Sequence, residues 1–226
     1  LVEKNMPTWS RFRKFITRKD IDPIAMRRAL IDDVVLHKSL FSISGFRWLK
    51  HTLIFWGFGL LVATEGLAVV VRDILPAFGR ADLWMDGHPL RLAFDFSYDA
   101  FGLMSMLGCM LALIWRVVVN GTDQQKFTDT PTALFLFFVL FSGFLVEAIR
   151  ISGAPPAPHL AVSFAGYGLA LLINPFIIFL EGLYNPLWYI HVIGSCFFIA
   201  YVPAKRLVHS CATPMGRLMY SQKGLL

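Results

Sequence analysis

The sequence predicts an all-α membrane protein, a bundle of four or five transmembrane helices. Three observations carry that reading. Stretches of about 20 apolar residues recur along the chain, the length a helix needs to cross a bilayer's hydrocarbon core. Apolar residues make up 56% of the 226 and charged residues only 16%. The mean hydropathy of +0.60 is far above that of an ordinary soluble domain. Lipid, rather than a packed aqueous core, solvates such helices.

Residues 1–50 read as a cytoplasmic basic segment. Within it, 21–40 (IDPIAMRRALIDDVVLHKSL) alternates apolar and charged residues at helical spacing, which predicts an amphipathic helix on the membrane surface. Asp22-Pro23 is its start signal, and Ser44-Gly45 breaks the chain before the first span. The spans follow at about 51–71, 100–119, 131–151 and 186–209, with the loops NGTDQQKFTDT and SGAPPAP closing the second and third. The stretch 160–181 is apolar enough to be a fifth span. Parity argues against that. A crossing there would put Lys205, Arg206, Arg217 and Lys223 on the outer side, and Asn174-Pro175 interrupts the helix. The expectation is a bent interfacial or re-entrant segment packed on the outer side. The organisation is then 1–50 cytoplasmic, 51–209 membrane domain and 210–226 cytoplasmic tail.

Charge sets the orientation. Residues 1–50 hold eleven Lys and Arg against five acids, the tail from Lys205 holds four and no acid, and 72–99 holds three Arg against five Asp. The positive-inside rule makes both ends cytoplasmic and the acidic loop external. Flanking membrane spans, the basic patches point to anionic lipid or a cytoplasmic subunit rather than to nucleic acid. A bacterial or archaeal cytoplasmic membrane is the expected location. The N-terminal fifty residues are basic and polar, unlike a cleavable signal peptide. Leu1 in place of Met is compatible with an upstream piece holding a further membrane helix. Cys109, Cys196 and Cys211 lack any iron–sulfur spacing and read as small apolar residues, so no cluster is expected on this chain.

The histidines carry the chemistry. His191 and His209 lie 18 residues apart on one apolar stretch. Eighteen residues are five turns, so the two rings share a face about 27 Å apart along the axis. One helix thus offers a candidate iron ligand near each membrane face. His51 opens the first span at the depth of His209. Two facing imidazoles at one depth are what haem b requires; the plain alternative is two polar tips at an interface. His191, beside Trp188 and Tyr189, faces the outer side, where His159 or His88 could pair with it around a second haem. Alternatively His191 hydrogen-bonds a quinone or anchors its helix. His37 lies among charges and reads as solvated.

Two acids sit in apolar surroundings. Glu147 and Arg150, three apart, fall on one helix face as an ion pair, either structural or serving a quinone site or proton exit. Glu65 has no partner in sequence, and Asp99 could complete a polar cluster outside. Gly57, Gly59, Gly102, Gly108, Gly143 and Gly194 allow close helix approach or room for a flat macrocycle.

On these residues the chain resembles a known family. LWYIHVIGSCFFIAYVPAKRLVH resembles the final helix of the gamma (cytochrome b) subunit of respiratory nitrate reductase, and FRWLKHTLIFWGFGLLVATEGL its paired helix. YDAFGLMSMLGCMLALIWR and FLFFVLFSGFLVEAIRI look more like relatives associated with heterodisulfide-reductase-like iron–sulfur proteins. The resemblance covers about residues 30–215. It implies that His191 and His209 match the two haem-ligating histidines of the last helix, and His51 the cytoplasmic-side ligand of the other. The family's remaining ligand falls at Leu61, which cannot bind iron.

The function implied is a haem b-containing respiratory subunit passing electrons between a quinone pool and an iron–sulfur partner. One haem is expected, at His51 and His209; a second would use His191. Two other readings stay open: a haem-free anchor or proton-relay, transporter-like bundle, and a cytochrome b that does not touch quinone.

Overall fold

The computed structural model describes residues 22–119 and 130–207. Among them every regular element is helical. They belong to two compact units. One comprises residues up to Trp48 together with those from Ile199 onward, and the other is Leu49–Phe198.

In the first unit, α1 (Pro23–Ala29) starts as expected. Pro23 takes the first helical position, and the Asp22 carboxylate accepts the Ile24 N–H at 2.9 Å. The expected single amphipathic helix is instead broken. A π-type turn occupies Leu30–Val35, His37 adopts φ 50°, and α2 (Lys38–Phe41) begins a new direction. Asp32 in that turn pairs with Lys38 at 2.6 Å, and Trp48 fastens the turn. Its indole N–H donates to the Leu36 carbonyl at 2.7 Å, and its ring meets Phe41 edge-on at 5.3 Å.

Helix α3 (Gly45–Val69) starts at the expected Ser44-Gly45 break, with the Ser44 hydroxyl accepting the Arg47 N–H at 3.4 Å. It runs on through a π-type turn, Val70–Ile74, and a 3₁₀ turn, Leu75–Phe78. Helix α4 (Pro89–Val119) begins eleven residues before the expected span. The apolar run does start near residue 100, but Pro89 at the first position and His88 ahead of it supply a start signal that hydropathy overlooks. Leu90 N–H donates to His88 Nδ1 at 3.2 Å. Helix α5 (Thr130–Ser152) ends where Gly153 and Ala154 donate to Ile149 and Ile151 and Pro155-Pro156 forbid another turn.

After a 3₁₀ turn at Pro158–Val162, α6 (Phe164–Ile173) is only ten residues long. It breaks into a 3₁₀ turn at Asn174-Pro175-Phe176, as the proline requires. The short α7 (Ile177–Leu180) and another 3₁₀ turn lead into α8 (Tyr184–Leu207). Ten residues of α6 span about 15 Å, half a bilayer core. Four stretches are long and apolar enough to cross a membrane: Gly45–Phe78, Pro89–Val118, Thr130–Ser152 and the broken run Phe164–Tyr201. The chain is a multi-pass helical membrane protein. Ile178 and Phe179, 84% and 79% exposed, are normal for such a surface because lipid covers it.

Helix α5 is central, burying 39% of its apolar span against 11–22% for the other three. Helices α3 and α4 meet at small residues. A Cβ on Gly57 would lie 2.5 Å from the Ser105 backbone nitrogen, and one on Gly108 2.8 Å from that of Ile54. Gly59, by contrast, faces open space.

Candidate functional site

Helix α4 carries a polar face inside a membrane span. Arg91, Asp95, Tyr98, Asp99 and Gly102 recur at three- and four-residue spacing, so one side of the helix is polar for about three turns. Helix α5 answers with Leu140, Gly143, Phe144, Glu147 and Arg150 at the same period. Together with Leu61, Ser163 and His191 these residues line a cavity of about 310 Å³. One part of its wall is apolar (Leu61, Leu140, Phe144) and the other bears protons and charge.

Three sets of bonds fix that wall. Arg150 grips Glu147 with two parallel donations, Nε to Oε2 at 2.9 Å and Nη2 to Oε1 at 2.6 Å. This is the pair expected from the spacing. Asp99, 4% exposed, reaches across to the start of α6, where its Oδ2 accepts the N–H groups of Ala165 (2.6 Å) and Gly166 (3.2 Å). Those are the second and third residues of α6, the positions a side-chain cap serves. Ser163, the cap residue by position, makes no such bond. A neighbouring helix therefore delivers the cap, and its negative charge suits the positive helix end. His191 is fixed through Nδ1, which lies 3.1 Å from both the Val139 carbonyl and the Ser142 hydroxyl. The carbonyl can only accept, so Nδ1 donates to it, and in the neutral ring the lone pair then lies on Nε2. Gly143 makes room for this ring, since a Cβ there would lie 2.8 Å from His191 Cε1.

A second cavity of about 240 Å³ adjoins the first and shares Arg91, Asp95, Arg150 and Ser163 with it. Asp86 and His159 also line it. Arg91 pairs loosely with Asp95 on its own helix, Nε to Oδ2 at 3.9 Å. It meets Asp86 at 3.1 Å and the Trp84 carbonyl at 3.1 Å, and lies over the Trp84 ring at 5.3 Å.

The structure thus brings Glu147, Arg150, Asp99 and His191 to one cavity and puts His159 in the next. Glu65 lines neither; it accepts the Tyr98 hydroxyl at 2.6 Å and sits 3.6 Å from Arg72. His88 is the cap of α4. His51 is half-buried on α3, 6.1 Å from the stacked Phe55 ring. His209 and Cys211 lie outside the described residues, so the His51–His209 pairing lies partly outside them as well. Cys109 is buried and Cys196 exposed, both as free thiols.

A second haem needs an axial partner for His191. Among the described residues lining its cavity His191 is the one imidazole, and Leu61 shares that cavity. Arg91, Asp95, Asp99, Glu147 and Arg150 occupy much of the remaining wall. This set does not fit a bis-histidine haem. Among the described residues there is also no group of three or more His, Cys, Asp or Glu placed to hold a metal ion. Sequence reasoning missed Arg91, Asp95 and Tyr98 because they lay in a stretch read as loop. The signal was available: their spacing with Asp99 and Gly102 is helical.

Comparison with known proteins gives relatives at low identity. The chain is 28% identical over 191 residues to a subunit of the dihydromethanophenazine:CoB–CoM heterodisulfide reductase of Methanosarcina acetivorans, covering 84% of this chain and 64% of the relative. The corresponding subunit from Methanosarcina thermophila is 27% identical over a span of the same length. An EtfAB:quinone oxidoreductase of Syntrophomonas wolfei is 23% identical over 186 residues, 74% of this chain but 24% of that protein. The chain spans about 64% of the length of the Methanosarcina relatives. No family model and no solved structure matches. The heterodisulfide-reductase side of the resemblance is therefore matched by sequence relatives, and the nitrate reductase side rests on helix pattern alone. What the comparison supports is a membrane protein similar to this one subunit of the Methanosarcina heterodisulfide reductases.

Proposed function

We propose that this chain is the electron-transfer membrane subunit of an oxidoreductase complex, exchanging electrons between a lipid-soluble hydrogen carrier and an iron–sulfur partner. The observation that carries the reading is the half-apolar, half-protic cavity around His191. Flat apolar rings with hydrogen-bonding edges suit such a wall. Relatives of two kinds support it, one named for dihydromethanophenazine and one for quinone. Both carriers hold two electrons and two protons on a flat ring.

The chain's own residues divide the work. Leu61, Leu140 and Phe144 take the ring face. His191, with Nδ1–H committed to Val139, offers Nε2 as acceptor for a carrier O–H or N–H. Glu147 and Arg150 hold the protic wall in place. A haem b between His51 and His209 would supply one-electron storage on the way to the partner. Both chain ends are assigned to the cytoplasmic side on the charge pattern, which puts that haem near the partner.

The test is the purified full chain, expressed with haem supplied. A b-type spectrum that single substitution of His51 or of His209 abolishes is the expected result. Haem content untouched by either change would remove the pairing. A b-type spectrum that no quinol or dihydrophenazine analogue can reduce would favour a cytochrome that receives electrons elsewhere.

A further inference from the structure

We infer that Asp95 is the proton-carrying group of the His191 cavity, passing protons between it and water in the adjoining cavity lined by Asp86 and His159. The source of the protons rests on the carrier reading above; the route rests on geometry.

Asp95 is the carboxylate that lines both cavities. Asp86 lines the adjoining one alone, and Asp99 and Glu147 the His191 cavity alone. The other acids are also committed. Protonating Glu147 would weaken its two hydrogen bonds from Arg150, and protonating Asp99 would weaken the cap of α6. Each of those bonds is charge-assisted and costly to lose. Asp95 has a looser tie, an ion pair with Arg91 without a hydrogen bond. Among the described residues it accepts no hydrogen bond, and its nearest cation, Arg91 Nε, stands 3.9 Å off. Arg91 spends its better contacts on Asp86 and Trp84. Glu147 and Arg150 face Asp95 from α5, His159 from the 3₁₀ turn and His191 from α8. A proton can therefore enter and leave Asp95 without dismantling the wall.

The reduced carrier loses two electrons, one at a time, to one-electron acceptors of the iron-centre class. With each electron a carrier O–H or N–H bond breaks and its proton forms an O–H bond on the Asp95 carboxylate, directly or by way of His191 Nε2. Asp95 then releases that proton to water in the adjoining cavity and is a carboxylate again before the second transfer. Carrier reduction runs the same bonds backwards.

The experiment uses the full chain, haem-supplied, in proteoliposomes enclosing ferricyanide, with a short-chain quinol added outside and protein-free liposomes as the blank. Asp95→Asn should slow turnover by about 100-fold or more, the scale of a lost proton-transfer group. Asp95→Glu should retain turnover with a displaced pH profile. Infrared difference spectra should show a carboxylic acid band that shifts in D₂O, is missing in Asp95→Asn, and exchanges more slowly when Ala157→Trp plugs the adjoining cavity. If the wild type reacts and Asp95→Asn matches it in rate and pH profile, Asp95 is not the carrier of protons and the quinol reading survives. If the wild type never reacts, the quinol reading fails, and the infrared exchange alone decides the route. Should Asp95→Asn fail to assemble, Asp95→Glu decides: an unchanged pH profile overturns the inference.

Discussion

Replacing Asp99 by alanine should loosen the start of α6 more than any other single change on the α4 polar face. The carboxylate accepts two backbone N–H groups, at 2.6 and 3.2 Å, from a site 4% exposed. Alanine leaves both donors, Ala165 part-buried and Gly166 buried, without an acceptor. Hydrogen bonds to a charged group contribute about 1.5–3 kcal/mol, and the longer one here counts for less, so about 2–4 kcal/mol is expected for the pair. At about 1.4 kcal/mol per factor of ten, local opening at Ala165 and Gly166 becomes roughly 30- to 700-fold more frequent. Asp99→Asn keeps an acceptor oxygen and loses the charge, so it should fall between wild type and alanine. Hydrogen exchange of the Ala165 and Gly166 amides, followed by mass spectrometry in detergent or nanodiscs, reads this directly. Amides that exchange at the wild-type rate in Asp99→Ala would refute the capping argument.

Gly57→Ala should destabilise the protein by about 1–3 kcal/mol, because its methyl meets backbone that cannot yield; Gly59→Ala, in open space, should be neutral or stabilising by up to about 1 kcal/mol, and thermal unfolding of the two compares them. A double-mutant cycle on Glu147→Gln and Arg150→Met should give a coupling of about 1–2 kcal/mol, above an exposed pair but below a fully buried one, since Arg150 remains 39% exposed. Burial holds the His37 imidazolium below its ordinary pKa of 6.5. The folded turn therefore favours neutral His37, its contribution is complete above that pH, and it is lost as pH falls through the lowered value. Protection of the 36–42 amides, taken relative to their intrinsic exchange rates at each pH, should fall on acidification, and His37→Asn, which tolerates the left-handed backbone, should flatten the dependence.

The sequence was legible where one physical signal acted alone. Apolar run length marked the long helices together with 160–181, which charge parity set apart, and Asn174-Pro175 marked the helix break within that segment, because proline's missing N–H acts locally. The Glu147–Arg150 pair followed from helical spacing. Legibility failed where signals competed. Hydropathy placed the start of α4 at the end of its polar face, although Pro89 and the 91/95/98/99/102 spacing carried the helix eleven residues further. The loss mattered, since Asp95 and Arg91 stand on those turns. The cap of α6 by Asp99 joins residues 66 apart, and no local pattern announces it. The amphipathic period over 21–40 gave no hint that the helix stops at Val35, for the break is set by His37's backbone and Trp48's bond to Leu36.

The most direct measurement is anaerobic stopped-flow mixing of the haem-supplied full chain with a short-chain quinol or a dihydrophenazine, monitored at the b-type α band. The account predicts rapid reduction of the band in wild type and strong slowing when Gly143→Trp fills the cavity beside His191. A chain without a b-type band, or a band reduced equally fast with the cavity filled, would contradict it.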